Sequence, residues 1–165
     1  MENWKKQFVV IYTGQAFSIL GSAAVQFAVI WWLTVQTESA ITLTIASIVT
    51  FLPNMLLGPF AGVWIDRYNR RTVMIAADGL VALSSVILGA AFLLLPAPPI
   101  WFIYLVLFLR GLGNTFHAPA MQAAIPTFVP AEMLTRAGGW GNMIQSVSNM
   151  LGPVLGAALM SFFPI

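Results

Sequence analysis

The chain has 165 residues, 59% of them hydrophobic and only 7% charged, with a mean hydropathy of +0.89. Soluble domains run at roughly 45–50% apolar and about 25% charged, so a soluble domain is excluded, and a formal charge of +2, thinly spread, gives no footprint for nucleic acid. No cysteine is present, which removes disulfides, thiolate metal sites and cysteine nucleophiles, and one histidine cannot build a metal cluster; neither metal nor cofactor is expected.

A membrane-crossing helix needs roughly 20 mostly apolar residues. Five stretches qualify, at 8–35, 41–64, 72–95, 100–125 and 133–163. They run as continuous apolar stretches, as in VILGAAFLLL and WFIYLVLFL, whereas barrel strands would alternate apolar and polar residues over about ten positions. The predicted fold class is therefore all-α, a polytopic transmembrane helical protein with about five spans in a single domain covering 1–165. A cleaved signal peptide is the lesser alternative for the start, because the apolar character persists from Phe8 to Val35.

The first span would reach about 42 Å at 1.5 Å per residue, more than the ~30 Å hydrocarbon core, so it is expected to tilt, bend near Gly14 or Gly21, or project. Gln15, Ser18, Ser22 and Gln26 fall within about 80° of one another on it. The second span carries only Asn54 near its middle. It ends in GPFAGVWIDRYNRR, where Asp66, Arg67, Arg70 and Arg71 gather four charges in six positions. The third is apolar from Gly79 to Leu95 apart from Ser84 and Ser85, and Pro96, Pro98 and Pro99 stop it.

On the fourth span Arg110, Asn114 and His117 share a face within about 60°. Arg110 sits about 15 Å from the end of its helix, where an arginine costs about 2.5–3.5 kcal/mol on the mildest scale. Such a charge marks a functional site by default; the alternative is a buried pair with Asp78 that only fixes packing. His117 reads as a packing residue. The fifth span shows a stripe of Asn142, Gln145 and Asn149. Beside it Gly141, Ser148, Gly152 and Gly156 form a small-residue face, with Pro153 inside it. Spans one, four and five thus point to a polar interior, with span three outside. Interhelical hydrogen bonding is the plainer reading of the same stripes.

Every loop Lys or Arg falls on one side: Lys5 and Lys6, then Arg67, Arg70 and Arg71, then Arg136. Basic loops stay cytoplasmic, which predicts a multi-pass membrane protein with its N-terminus inside.

Three stretches resemble the major facilitator superfamily of secondary transporters, in the right order and across the whole chain. GVWIDRYNRR (Gly62 to Arg71) is similar to its loop signature, with Asn69 in place of a glycine; asparagine also tolerates a left-handed turn. Arg110 matches its fourth-helix arginine, although Gly111 and Gly113 come early and Asn114 stands where glycine is frequent. SNMLGPVLGA (Ser148 to Ala157) resembles the fifth-helix signature of drug:proton antiporters. GQAFSILGSAAVQFAVIWWLT and FHAPAMQAAIPTFVPAEMLT look like the macrolide-efflux branch.

The resemblance implies the first five helices of an N-terminal half, in a non-enzymatic exporter of lipophilic drugs by proton antiport. Gln15, Gln26, Arg110, Asn114, Asn142, Gln145 and Asn149 would line the substrate and proton pathway. Gly62, Asp66, Arg67, Arg70 and Arg71 would form a cytoplasmic gating loop, and Ser148, Gly152, Pro153 and Gly156 a helix-packing signature. Implied partners are the lipid bilayer, a lipophilic substrate, protons, and either the missing C-terminal helices or another copy of the chain. In that family the packing seam meets the C-terminal half, so within this chain Gly152 and Gly156 should be open to lipid or a partner. The competing class is a non-transporting membrane protein, either a truncated remnant or an assembly partner that docks through that seam. No G-x-S-x-G, H-E-x-x-H or P-loop pattern supports an intramembrane enzyme.

Overall fold

The computed structural model describes residues 3–95 and 97–161. Pro96, expected to help end the third helix, and the terminal Phe163-Pro164-Ile165 lie outside the described residues. The described chain is all-α: α1 (Asn3–Thr37), α2 (Ala40–Arg67), α3 (Arg70–Leu94), α4 (Ile100–Phe128), a 3₁₀ turn (Ala131–Met133) and α5 (Leu134–Met160). All five α-helices contain windows long and apolar enough to cross a membrane. The longest, α1, has 35 residues and so spans about 52 Å, which leaves it ample length beyond a hydrocarbon core.

Helix ends are set by local chemistry. Glu38 closes α1 in the left-handed region at φ 45°, its N–H donating to the Thr34 carbonyl at 3.1 Å. Ser39 then caps α2, its side chain accepting from the Thr42 N–H. Asn69 corrects an expectation. It is extended at φ −65° and ψ 114°, and serves as the N-cap of α3, its Oδ1 accepting from the Arg71 N–H at 3.0 Å. The asparagine is needed for its side-chain acceptor, since the first N–H groups of a helix have no internal partner. Pro53 and Pro59 lie inside α2, and such interruptions are tolerated in membrane helices.

The described residues group into two compact units. One comprises α1 up to Trp32 together with the chain beyond Ala123; the other comprises Leu33 to Ala123. In the first unit α1 and α5 run parallel in a constant register. Tyr12 lies 4.0 Å from where a Cβ on Gly141 would stand, Ala23 faces Gly152 and Phe27 faces Gly156. The steps of eleven and four residues are the same along both helices. Tyr12 fixes one end, its Oη donating to the Ala137 carbonyl at 2.9 Å.

This register overturns the expectation that the small-residue seam of α5 is open. Ser148, Gly152 and Gly156 are buried, and a Cβ at 152 would meet the Ala23 Cβ at 2.6 Å. At 156 it would meet the Ala24 carbonyl oxygen at 2.7 Å. The cause is in α1 itself. Gly21-Ser22-Ala23-Ala24 is a second run of small residues, and two such faces let backbones approach within van der Waals contact where lipid offers no competing drive. Pro153 lies beside the seam, half-buried.

In the second unit α4 is the central helix, burying Ile103, Val106, Leu107, Arg110, Gly111, Gly113, Thr115 and Ala120. It runs parallel to α2: Tyr104 Oη donates to the Thr42 carbonyl at 3.2 Å near one end, and near the other Trp64 stacks on Phe116 with ring centroids 5.7 Å apart. Ala61, Ile65 and Ala120 form a packed core there with Val73, Met74 and Ala123 around it. The early glycines have separate packing duties. Gly111 sits against the Thr50 carbonyl of α2, and Gly113 against Val81 and the Ala77 carbonyl of α3. α4 is thus wedged between two neighbours, each needing a missing side chain on a different side.

Candidate functional site

Arg110 is the residue that sequence and structure agree is out of the ordinary. It projects from the middle of α4 and is 2% exposed. Its Nη1 donates to the Ser85 hydroxyl of α3, and Ser85 in turn donates to the Val81 carbonyl at 2.8 Å. Ser84, next to it, donates to the Leu80 carbonyl and is buried. Within the otherwise apolar stretch of α3 from Gly79 to Leu94, Ser85 thus brings a hydroxyl to the α3–α4 contact. The sequence showed both serines, but on a helix assigned to the outside they pointed to no partner.

Seven residues further along α4, and seven back along α3, a second polar rung joins the same two helices: His117 Nδ1 lies 2.9 Å from Asp78 Oδ1. The antiparallel register that pairs 110 with 85 also pairs 117 with 78, so the rungs are about 10 Å apart along the helices. The imidazole is one neighbour of the Asp78 carboxylate, and the Ser85 hydroxyl is one acceptor of the guanidinium.

The remaining pathway candidates divide between the units. Arg110 and Asn114 belong to the second, and Asn114 is exposed on α4. Gln15, Gln26, Asn142, Gln145 and Asn149 belong to the first. There Gln15 and Gln26 are half-buried, while the three α5 side chains are exposed beside the seam that holds α1. Gln145 Nε2 donates to Asn149 Oδ1 at 3.1 Å. Amides at that depth are costly against lipid, so this face of α5 suits water, a polar ligand or further protein.

The loop candidates separate as well. Asp66, Arg67 and Arg71 are exposed, and Gly62 has open space where a Cβ would stand. Arg70 alone reaches across: its Nη1 donates to the Ala123 carbonyl of α4 at 2.8 Å. A cation on a carbonyl near a helix C-terminus is favoured by the helix dipole. It ties the start of α3 to the far end of α4.

Comparison with known proteins bears on the family. The sequence profile of the Major Facilitator Superfamily matches residues 11–165. Macrolide efflux protein A of Streptococcus pyogenes is 41% identical over 164 residues, 99% of this chain and 40% of that protein. The Enterococcus faecalis protein of the same name is 38% identical over 120 residues, 72% of this chain and 36% of its own length. The staphyloferrin A transporter of Staphylococcus aureus is 24% identical over 147 residues, covering 87% and 36%. No solved structure matches the chain. The chain spans about two fifths of the length of these relatives. The profile match, and the five membrane-length helices that carry it, show that this polytopic membrane chain belongs to the major facilitator superfamily of non-catalytic carriers.

Proposed function

We propose that the chain forms the first five helices of one transmembrane domain in a proton-driven exporter of lipophilic drugs, macrolides among them. The observation that carries this reading is Arg110, a guanidinium buried within a membrane-length helix against the Ser85 hydroxyl. A permanent charge held there can bias nearby groups between protonated and deprotonated states as water or drug enters. The relatives named for macrolide efflux support the substrate class. Asn114 and the α5 amides would supply the polar wall of this half's cavity, with halves rocking about a midplane site. Asp66, Arg67, Arg70 and Arg71 would gate the cytoplasmic side, Arg70 being the member already tied to α4. The competing docking role loses its surface, because α1 fills the seam.

The test is transport by the complete protein, this chain with its natural continuation, in proteoliposomes under an imposed pH gradient. Saturable, gradient-dependent macrolide movement with matching proton flux is expected, and the 165-residue chain alone should give none, since alternating access needs two halves. Macrolide movement that ignores the pH gradient would refute proton coupling.

Orientation has its own test. The chain lacks cysteine, so Asn69→Cys should react with an impermeant thiol reagent only from the cytoplasm, and Ala97→Cys only from outside. Labelling of both from one side would refute the orientation.

A further inference from the structure

The parallel register of α1 and α5 brings two helix starts to the same membrane face. Between them lies a groove of about 290 Å³, lined by Trp4, Lys5, Phe8 and Val9 from α1 and by Met133, Arg136 and Trp140 at the start of α5, with Val129 and Ala137 behind. Its composition is layered. Lys5 and Arg136 are exposed cations in the first turns of their helices, while Phe8 and Val9 line the groove one turn deeper. Trp4, Phe8 and Tyr12 form an aromatic ladder along α1, with centroid separations of 6.4 and 4.1 Å.

The charge placement is unusual for helix starts. The first turn of a helix presents unsatisfied N–H groups and the positive end of the macrodipole, so acids are favoured there and bases are not. Neither α1 nor α5 has an acid in its first turn. Lys5 and Arg136 add positive charge to both ends instead. Glu132, exposed in the preceding 3₁₀ turn, does not line the groove. Two dipole ends and two cations therefore converge on one groove, with indoles at the level where they favour the membrane–water boundary.

We propose that this groove binds the headgroup of an anionic phospholipid, its phosphate held between Lys5 and Arg136 and the start of an acyl chain laid against Phe8 and Val9. Basic clefts between helices at the headgroup level take this class of ligand. The bound lipid would neutralise the two helix starts and staple α1 to α5 at the end where Tyr12 already holds Ala137.

The test uses the purified full chain in lipid nanodiscs and needs no transport. Tryptophan fluorescence, with Trp4 and Trp140 beside the groove, is titrated with brominated phosphatidylglycerol and with brominated phosphatidylcholine. Preferential quenching by phosphatidylglycerol is expected. Lys5→Gln/Arg136→Gln, at two exposed positions that leave packing intact, should weaken that preference roughly thirtyfold. Lys6→Gln/Arg71→Gln removes equal charge from outside the groove and should keep most of it. Equal quenching by the two lipids, or equal losses in the two double variants, would overturn the proposal. Displacement of the brominated phosphatidylglycerol by millimolar inorganic phosphate would also overturn it, by showing a site for free anions.

Discussion

Arg110→Ala should reduce drug-driven transport by the complete protein to the background of empty liposomes. Burial leaves the guanidinium no route to water from its position in α4, where it is 2% exposed. The protein therefore keeps a charge at a depth that costs about 2.5–3.5 kcal/mol on the mildest scale. Arg110→Met separates function from packing. It keeps most of the side-chain volume and removes the cost of holding a charge inside a membrane-length helix. Arg110→Met should therefore insert and fold as well as the parent while transporting no better than Arg110→Ala. Arg110→Lys should be impaired too, because an ammonium lacks the planar multi-donor fork. Ser85→Ala strips one acceptor from a buried donor, an expected loss of about 1–3 kcal/mol, and should slow transport without ending it. Normal transport by Arg110→Met would reduce the residue to a packing element.

Gly111→Ala should be the most disruptive small substitution in the chain. The added methyl would point into the Thr50 carbonyl of α2 with Pro53 close behind, and a backbone oxygen inside a helix cannot turn aside as a side chain can. Relief requires α2 and α4 to separate. Overpacking of that kind costs about 1–3 kcal/mol and occasionally more, here with loss of the Trp64–Phe116 stacking as a visible sign. Gly79→Ala is the control. It has no atom within 4 Å of the new methyl, and exchanging glycine for alanine in a helix interior gains about 0.8–1.0 kcal/mol in propensity. Thermal unfolding in detergent should rank Gly79→Ala at or above the parent and Gly111→Ala well below it. Equal stability of the two would mean that α2 and α4 do not meet at Thr50.

Much of the architecture could be read from the residues because lipid imposes so strict a rule. Uninterrupted apolar runs located all five helices, and the cost of a mid-span arginine singled out Arg110 before any neighbour was known. What periodicity cannot give is the identity of the neighbour. It placed Gly152 and Gly156 correctly on one face, yet the helix against that face is α1, and the matching signal was the Gly21–Ala24 run, read only as a possible bend. Ser85 escaped for the same reason, since a lone hydroxyl on an apolar helix gains meaning only opposite a donor. Asn69 was misread through its backbone tolerance when its side-chain oxygen was the operative feature. The sequence marks out Arg70 no more than Arg67 or Arg71; only the distance to Ala123 distinguishes it.

The pairing of α1 with α5 also sets an order of events during synthesis. Tyr12 and Ala137 are 125 residues apart in the chain, and a ribosome adds about 5–20 residues per second. Their hydrogen bond therefore cannot form until roughly 6–25 s after Tyr12 has been made. Through that interval Ala23 and Ala24 lack the helix they will later adjoin, while α2, α3 and α4 emerge and can already assemble among themselves. The pairing of α1 with α5 is therefore locked late, so a pause or a premature stop before α5 leaves the small-residue face of α1 without that partner and open to membrane proteases.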